Sequence, residues 1–221
     1  MNGIFITGTD TNVGKTWVGV HLISALVDQK LNIVLRKPVE SGWDESNVEN
    51  TDAYLLAKAA QQLDKLNTIC PNHFKLPISP VRAAMHEGVQ LTLTALKEQC
   101  VNGFRENDFV YVEGAGGFYS PLCSDGLNAD LASFLDLPIL LVVENRLGCI
   151  NQTLLNVEAI EQRGLELKAI VLNNISVTDK SLEMDNAKDL ARLLNYPIIE
   201  IPFNNKSTYT FKELALLIST N

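Results

Sequence analysis

Short, uninterrupted apolar runs recur along the chain, and between them lie stretches whose apolar residues fall at helical spacing. Residues 4–7 (Ile4, Phe5, Ile6, Thr7), 32–36, 109–112, 139–143, 169–172 and 198–201 have the length and the aliphatic or aromatic content of strands. Residues 16–27, 51–63, 91–103, 151–163, 181–194 and 211–218 read as helices with a buried stripe. Gly103 and Gly164 stand where helix ends are predicted, and Pro202 stops the last strand. Residues 67–80, which include Pro71, Pro77 and Pro80, are predicted irregular. Strands that are apolar on both faces and alternate with helices imply a parallel sheet covered on both sides. The pattern therefore predicts an α/β fold: six or seven strands in one doubly wound, mostly parallel sheet flanked by helices. No linker-like composition and no internal repeat divides the chain, so residues 1–221 are read as a single domain.

Composition narrows the partners. With 46% hydrophobic and 20% charged residues the chain is globular rather than disordered. A net charge of −8 argues against sequence-independent contact with nucleic acid or an anionic membrane surface. Cys70, Cys100, Cys123 and Cys149 are more than twenty residues apart and form no metal or disulfide pattern. The first residues lack a basic, then apolar, leader pattern, and the run 139–143 is far shorter than the roughly 20 residues that span a bilayer. A cytoplasmic protein with reduced thiols is expected.

In a sheet of this class, ligands sit outside the carboxyl ends of the strands. After the first strand comes Gly8-Thr9-Asp10-Thr11-Asn12-Val13-Gly14-Lys15-Thr16, then a helix. Its glycines let backbone amides approach phosphate oxygens, Lys15 reaches the outer phosphates, and the Thr16 hydroxyl suits Mg²⁺. Five residues separate Gly8 from Gly14, one more than in the standard phosphate loop, so an ordinary Gly-rich turn is the alternative. After the second strand, Arg36-Lys37-Pro38-Val39-Glu40-Ser41-Gly42 offers Lys37 and Ser41. With the second strand placed next to the first, Lys37 projects into the same crevice. Asp52, in the first turn of a helix, is either a dipole-favoured residue or a second Mg²⁺ contact. Glu113 closes the strand 109–112 ahead of Gly114-Ala115-Gly116-Gly117, the position of an acid that holds metal or its water. Gly148-Cys149-Ile150-Asn151 opens a helix whose amides suit a carboxylate, or is a plain first turn capped by Asn151. Asn173 and Asn174 are either turn residues or amides able to read adenine. Trp17 and Trp43 are read as packing residues, and His21, His73 and His86 form no metal spacing.

Taken together, the loop 8–16, Lys37-Pro38-Val39-x-Ser41-Gly42, Val112-Glu113-Gly114-Ala115-Gly116-Gly117 and Leu147-Gly148-Cys149-Ile150-Asn151 resemble the dethiobiotin synthetases, from residue 3 to about residue 204. The resemblance implies a P-loop NTPase-like fold and an ATP- and Mg²⁺-dependent ligase. Its substrates would be 7,8-diaminopelargonic acid and CO₂ or bicarbonate. Carried over residue by residue, it implies catalytic Lys37 and Lys15, and Mg²⁺ on Thr16, Asp52 and Glu113. ATP would meet Asn12, Val13, Gly14, Lys15, Thr16 and Trp17, then Asp52 and Glu113 to Gly116 through Gly114 and Ala115. At the base end ATP would meet Asn173, Asn174, Pro202, Phe203 and Asn204. The substrate would meet Thr11, Lys37 and Ser41, with Gly148, Cys149, Ile150 and Asn151 near a homodimer interface. Apolar Leu147, Cys149 and Ile150 at a loop-to-helix junction fit that interface. The family often has Glu at position 12 and Asp at position 174, where this chain has Asn. A nucleotide switch that positions proteins on membranes or DNA is the alternative; such switches carry lysine where this chain has Asp10.

Overall fold

The computed structural model describes residues 1–176, 184–203 and 208–220. In chain order the elements are β1 (Gly3–Gly8), α1 (Lys15–Asp28), β2 (Ile33–Arg36), β3 (Val39–Ser41), α2 (Asp52–Ala59), α3 (Leu66–Ile69) and β4 (Asn72–Phe74). They continue with α4 (Pro80–His86), α5 (Leu93–Val101), β5 (Phe109–Gly117), β6 (Pro121–Cys123), β7 (Gly126–Leu127) and α6 (Asn128–Leu135). Last come β8 (Ile139–Glu144), α7 (Cys149–Gln162), β9 (Leu167–Asn173), α8 (Asn186–Leu193), β10 (Ile198–Ile201) and α9 (Thr208–Ser219). Six strands form one sheet in the order β10-β9-β8-β1-β5-β2, and every neighbouring pair is parallel.

Period-two alternation sends the two faces of this sheet into separate cores. On β1, Ile4 and Ile6 pack with Leu22, Leu26, Leu214 and Ile218 of α1 and α9. Phe5 points the other way, into a layer with Leu131 of α6 and Ile160 of α7. Both faces are apolar, which is why the strands read as unbroken runs.

The strand order corrects one expectation. β2 does not lie beside β1; β5 runs between them, pairing Phe5 with Val112 and Leu35 with Tyr111. β5 also continues past Glu113 to Gly117. The second predicted helix ends at Ala59, four residues early, because the chain turns at Gln61 with a positive φ of 56°. The stretch expected to be irregular contains α3 and the three-residue β4, which pairs with β3 in a small sheet of its own. The helix predicted over 181–194 is seen from Asn186; residues 181–183 lie outside the described residues.

Arg36, at the end of β2, ties the sheet edge to α5. Its guanidinium is buried and donates from Nε to Gln99 O at 3.0 Å, from Nη1 to Leu35 O at 2.8 Å, and from Nη2 to Asn102 O. Gln99 and Asn102 lie at the end of α5, where carbonyls lack helical partners and attract a cation. Burial lowers the Arg36 pKa from its usual value. Arg36→Met should therefore destabilise the fold by about 1–3 kcal/mol, since methionine keeps the stem and leaves these carbonyls unpaired. Urea unfolding followed by circular dichroism measures this, and an unshifted midpoint would show that the guanidinium contributes nothing.

Candidate active site

The loop between β1 and α1 is set by two left-handed residues, Asn12 at φ 59° and Gly14 at φ 89°. A Cβ on Gly14 would also collide with Asn173 Nδ2, so glycine is required there twice over. α1 begins at Lys15 with no acidic residue in its first turn and no side-chain cap, which leaves its amides for an anion. Val13 is buried in the core below, and its carbonyl accepts from Asn173 Nδ2 at 3.1 Å. Lys15 folds back over the loop and donates to Asp10 O at 2.9 Å. Burial pushes its pKa down to about 8, against the opposing pull of Glu113. A phosphate at the loop would supply the counter-charge.

Beside the loop lies a charged cluster drawn from four elements. Lys37 follows β2 and is 3% exposed; its Nζ donates to Glu113 Oε1 at 2.8 Å and stands 3.4 Å from Asp52 Oδ2. Thr16 Oγ1 donates to the same Glu113 oxygen at 2.8 Å. Burial alone would lower the Lys37 pKa, but Glu113, Asp52 and Glu40 outweigh it and raise it. For Asp52, burial acts upward, and Lys37 and Thr16 bring the carboxyl below its usual range. Glu113 is fully buried, and Tyr111 Oη reaches its Oε2 at 3.4 Å. Tyr111 Oη in turn packs over Gly19, where any Cβ would collide with it.

Lys15, Thr16, Lys37 and Asp52 border a cavity of about 770 Å³, whereas Glu113 and Tyr111 are fully buried and do not line it. Of the residues singled out in the sequence, Thr11, Asn12, Gly14, Lys15, Thr16 and Trp17 line it. Lys37, Ser41 and Asp52 line it from the β2 side, and Gly114, Ala115 and Gly116 from β5. Ser41 Oγ is buried there without a hydrogen-bond partner, as a group meant for a ligand would be. Trp17 lines the cavity and also packs edge-on against His21 at 4.5 Å, whereas Trp43 is a buried packing residue against His73.

Other named residues stand elsewhere. Gly148, Cys149, Ile150 and Asn151 do not line the cavity. α7 starts at Cys149, so Gly148 with φ 88° takes the cap position expected of Asn151. The apolar junction is also more buried than expected: Cys149 is fully buried, Ile150 packs on the core, and Leu147 alone of the three is 84% exposed. Asn173 braces the phosphate loop. Asn174 donates to Glu200 Oε1 and to Ile201 O, and its Oδ1 accepts from Asn145. Pro202 and Phe203 follow β10, and Asn204 lies outside the described residues.

The sequence reading missed Glu40, Ser120 and the segment 77–80, which line the cavity, and Tyr111, which contacts Glu113. Tyr111 had a signal, because two residues along a strand place it on the face of Glu113. Glu40 had a weaker one, a polar residue between Lys37 and Ser41. The four cysteines are free and buried. Among the described residues no helix is long and apolar enough to cross a membrane.

The AAA domain family model matches residues 2–209. An ATP-dependent dethiobiotin synthetase of Anaeromyxobacter dehalogenans strain 2CP-1 is 41% identical over 193 residues, covering 87% of this chain and 86% of that protein. Its counterpart in strain 2CP-C is 40% identical over 204 residues, covering 92% and 91%. The cell division ATPase MinD of Pyrococcus furiosus superposes with a TM-score of 0.57 over 99% of this chain and 98% of its own, at 18% identity, which speaks for the fold alone. At that identity over most of both proteins, this chain belongs to the ATP-dependent dethiobiotin synthetase family.

Proposed function

We propose that this chain closes the ureido ring of dethiobiotin from 7,8-diaminopelargonic acid and CO₂, with ATP as the driving cosubstrate. The observation that carries this reading is the convergence of Lys15, Lys37, Thr16, Asp52 and Glu113 at one end of a cavity that also has room for an extended substrate. One amine of the substrate adds CO₂ and loses a proton, giving a carbamate. The carbamate oxygen attacks the γ-phosphorus and ADP leaves. The second amine attacks the carbonyl carbon of the resulting carbamic–phosphoric anhydride, and phosphate leaves as the ring closes.

The substrate supplies both nucleophiles, so the protein's task is to bind, orient and balance charge. The amides at the start of α1 and Lys15 hold the phosphates. Lys37 stays protonated between Glu113 and Asp52 and faces the carbamate and the γ-phosphate. Ser41 Oγ, unpartnered on the wall, suits the diamine end. Adenine would lie toward Asn173, Pro202 and Phe203. Two carboxylates and a hydroxyl are hard oxygen donors that fit Mg²⁺, with phosphate and water completing its shell. Lys37 Nζ lies 2.8 Å from Glu113 and 3.4 Å from Asp52, which supports reading the two acids as cation contacts. Bound with ATP, Mg²⁺ supplies neutralisation of the phosphate charge. The reading takes residues 1–221 as one cytoplasmic domain.

The test is ADP release with diaminopelargonate, bicarbonate and ATP, each omitted in turn. Turnover should need all three, and ATP hydrolysis indifferent to the diamine would overturn the reading. Lys37→Gln should lower kcat by about 10²–10³, the size of losing one transition-state charge contact; a wild-type rate would remove Lys37 from the chemistry. Asp52→Asn and Glu113→Gln should both raise the half-saturating Mg²⁺ concentration. Glu113→Gln should also lower stability, because it leaves Lys37 buried without its nearest carboxylate. Asp52 is 45% exposed, and its variant should melt as wild type does.

The chain should also be a homodimer in which Gly148–Asn151 of one subunit completes the cavity of the other. Exposed Leu147 next to the start of α7 supports this, and Gly148–Asn151 do not line the cavity of their own chain. Light scattering should show the dimer mass. An inactive Lys37 variant mixed with a Gly148→Glu variant should regain partial activity, and no recovery would place both loops in the same chain.

A further inference from the structure

Glu40 lies on β3 between two candidate site residues and is itself 7% exposed. Its Oε1 accepts from the backbone amide of Asp52 at 2.7 Å, and its Oε2 accepts from that of Ala53 at 2.9 Å. These are the first two amides of α2. The third, on Tyr54, is taken by Thr51 Oγ1 at 3.3 Å. The open start of a helix is thus closed by one local hydroxyl and by one carboxylate from twelve residues upstream.

This is an unusual cap. Helix starts are commonly capped by a short side chain just ahead of the first turn. Here the charged group belongs to a different element, and the chain between them, residues 42–51, holds only the single turn Val48–Asn50. The contact therefore fixes the start of α2 relative to β3, and so relative to Lys37 two residues before that strand. Asp52 is the first residue of α2, and its own amide is one of the two that Glu40 holds. Its side chain is the exposed member of the charged cluster, 3.4 Å from Lys37. A buried carboxylate is costly unless its oxygens find donors, and here each oxygen has one in a charge-assisted bond.

We propose that Glu40 is a positioning residue of the active centre: its carboxylate fixes the first turn of α2 and thereby holds the Asp52 carboxylate where Mg-nucleotide meets it. The role rests on the reading of Thr16, Asp52 and Glu113 as the Mg²⁺ contacts. It asks nothing of Glu40 toward the substrate, although Glu40 borders the cavity.

Glutamine is the discriminating replacement. It matches glutamate in size but offers one acceptor, so its NH₂ group faces one of the two amides as donor to donor. α2 stays anchored, because Ala53, Leu56 and Ala57 remain buried beneath it. The experiment is calorimetric titration of ADP into wild type, Glu40→Gln, Asp52→Asn and the double variant, in Mg²⁺ and in EDTA, with folding checked by circular dichroism. Glu40→Gln should weaken ADP binding in Mg²⁺ by roughly 10-fold, the loss seen when a partner behind a metal ligand is removed. Binding in EDTA should not move. The double variant should bind no more weakly than Asp52→Asn alone, since Glu40 acts through Asp52. Wild-type affinity in Mg²⁺, an equal loss in EDTA, or additive losses in the double variant would each overturn the proposal. Should Glu40→Gln not fold, Glu40→Asp, one methylene shorter, goes through the same cycle. No diamine is present in these titrations. A wild-type protein that does not turn over the diamine would end the proposed reaction and leave this result to be judged by itself.

Discussion

The burial of one ammonium group organises the functional end of this molecule. Lys37 is almost fully removed from water, and an isolated charge in that position costs several kcal/mol. It is tolerated because Glu113, itself fully buried, stands 2.8 Å away with Asp52 beyond. Three elements are bound by that requirement. β5 must bring Glu113 beneath the crevice, β2 must end where Lys37 meets it, and α2 must start where Asp52 faces both. Thr16 of α1 joins through the same Glu113 oxygen. A change at Lys37 or Glu113 falls on the other directly, because each relieves the other's buried charge.

The rest of the cluster works to keep that arrangement in one geometry. Tyr111 closes the second oxygen of Glu113, and Gly19 is the residue that lets Tyr111 lie there. Asn173, from a strand two places away from β1, holds the carbonyl of Val13 and sets the height of the phosphate loop. None of these contacts faces the cavity. They are the supports that let a few charged groups stand near one another without drifting apart when a ligand exchanges.

Much of this was legible in the sequence, and the gaps have physical causes. The strands were readable because both faces are buried, so each is an unbroken apolar run. Their order was not, for the same reason: strands that are all apolar look alike, and nothing in residues 32–36 says that β5 will come between them and β1. Lys37 was placed in the crevice on an adjacency that does not exist; it reaches there because Glu113 on the intervening strand draws it in. The phosphate loop was readable because its backbone conformation needs glycine at a fixed place. Glu40 was not, because a carboxylate that caps a helix twelve residues on leaves no local pattern. The loop before α7 differs in detail: the helix starts at Cys149, early enough to bury Cys149 and to pack Ile150 against the core.

The two lysines show how far environment separates identical side chains. Lys15 and Lys37 are both buried beside the same acids, yet their protons are held very differently. Lys15 donates to a neutral carbonyl, and burial brings its pKa down to about 8. Lys37 lies in direct contact with a carboxylate, and its pKa moves up. A proton on Lys15 is therefore held weakly until an anion arrives, so phosphate binding and full charge on Lys15 favour each other. Lys37 is charged before any ligand enters. One cation answers to the nucleotide, and the other is a fixed feature of the cavity floor. A reaction that must gather a carbamate and a γ-phosphate, both anionic, at one point needs a positive charge of the second kind, already oriented and independent of which ligand binds first.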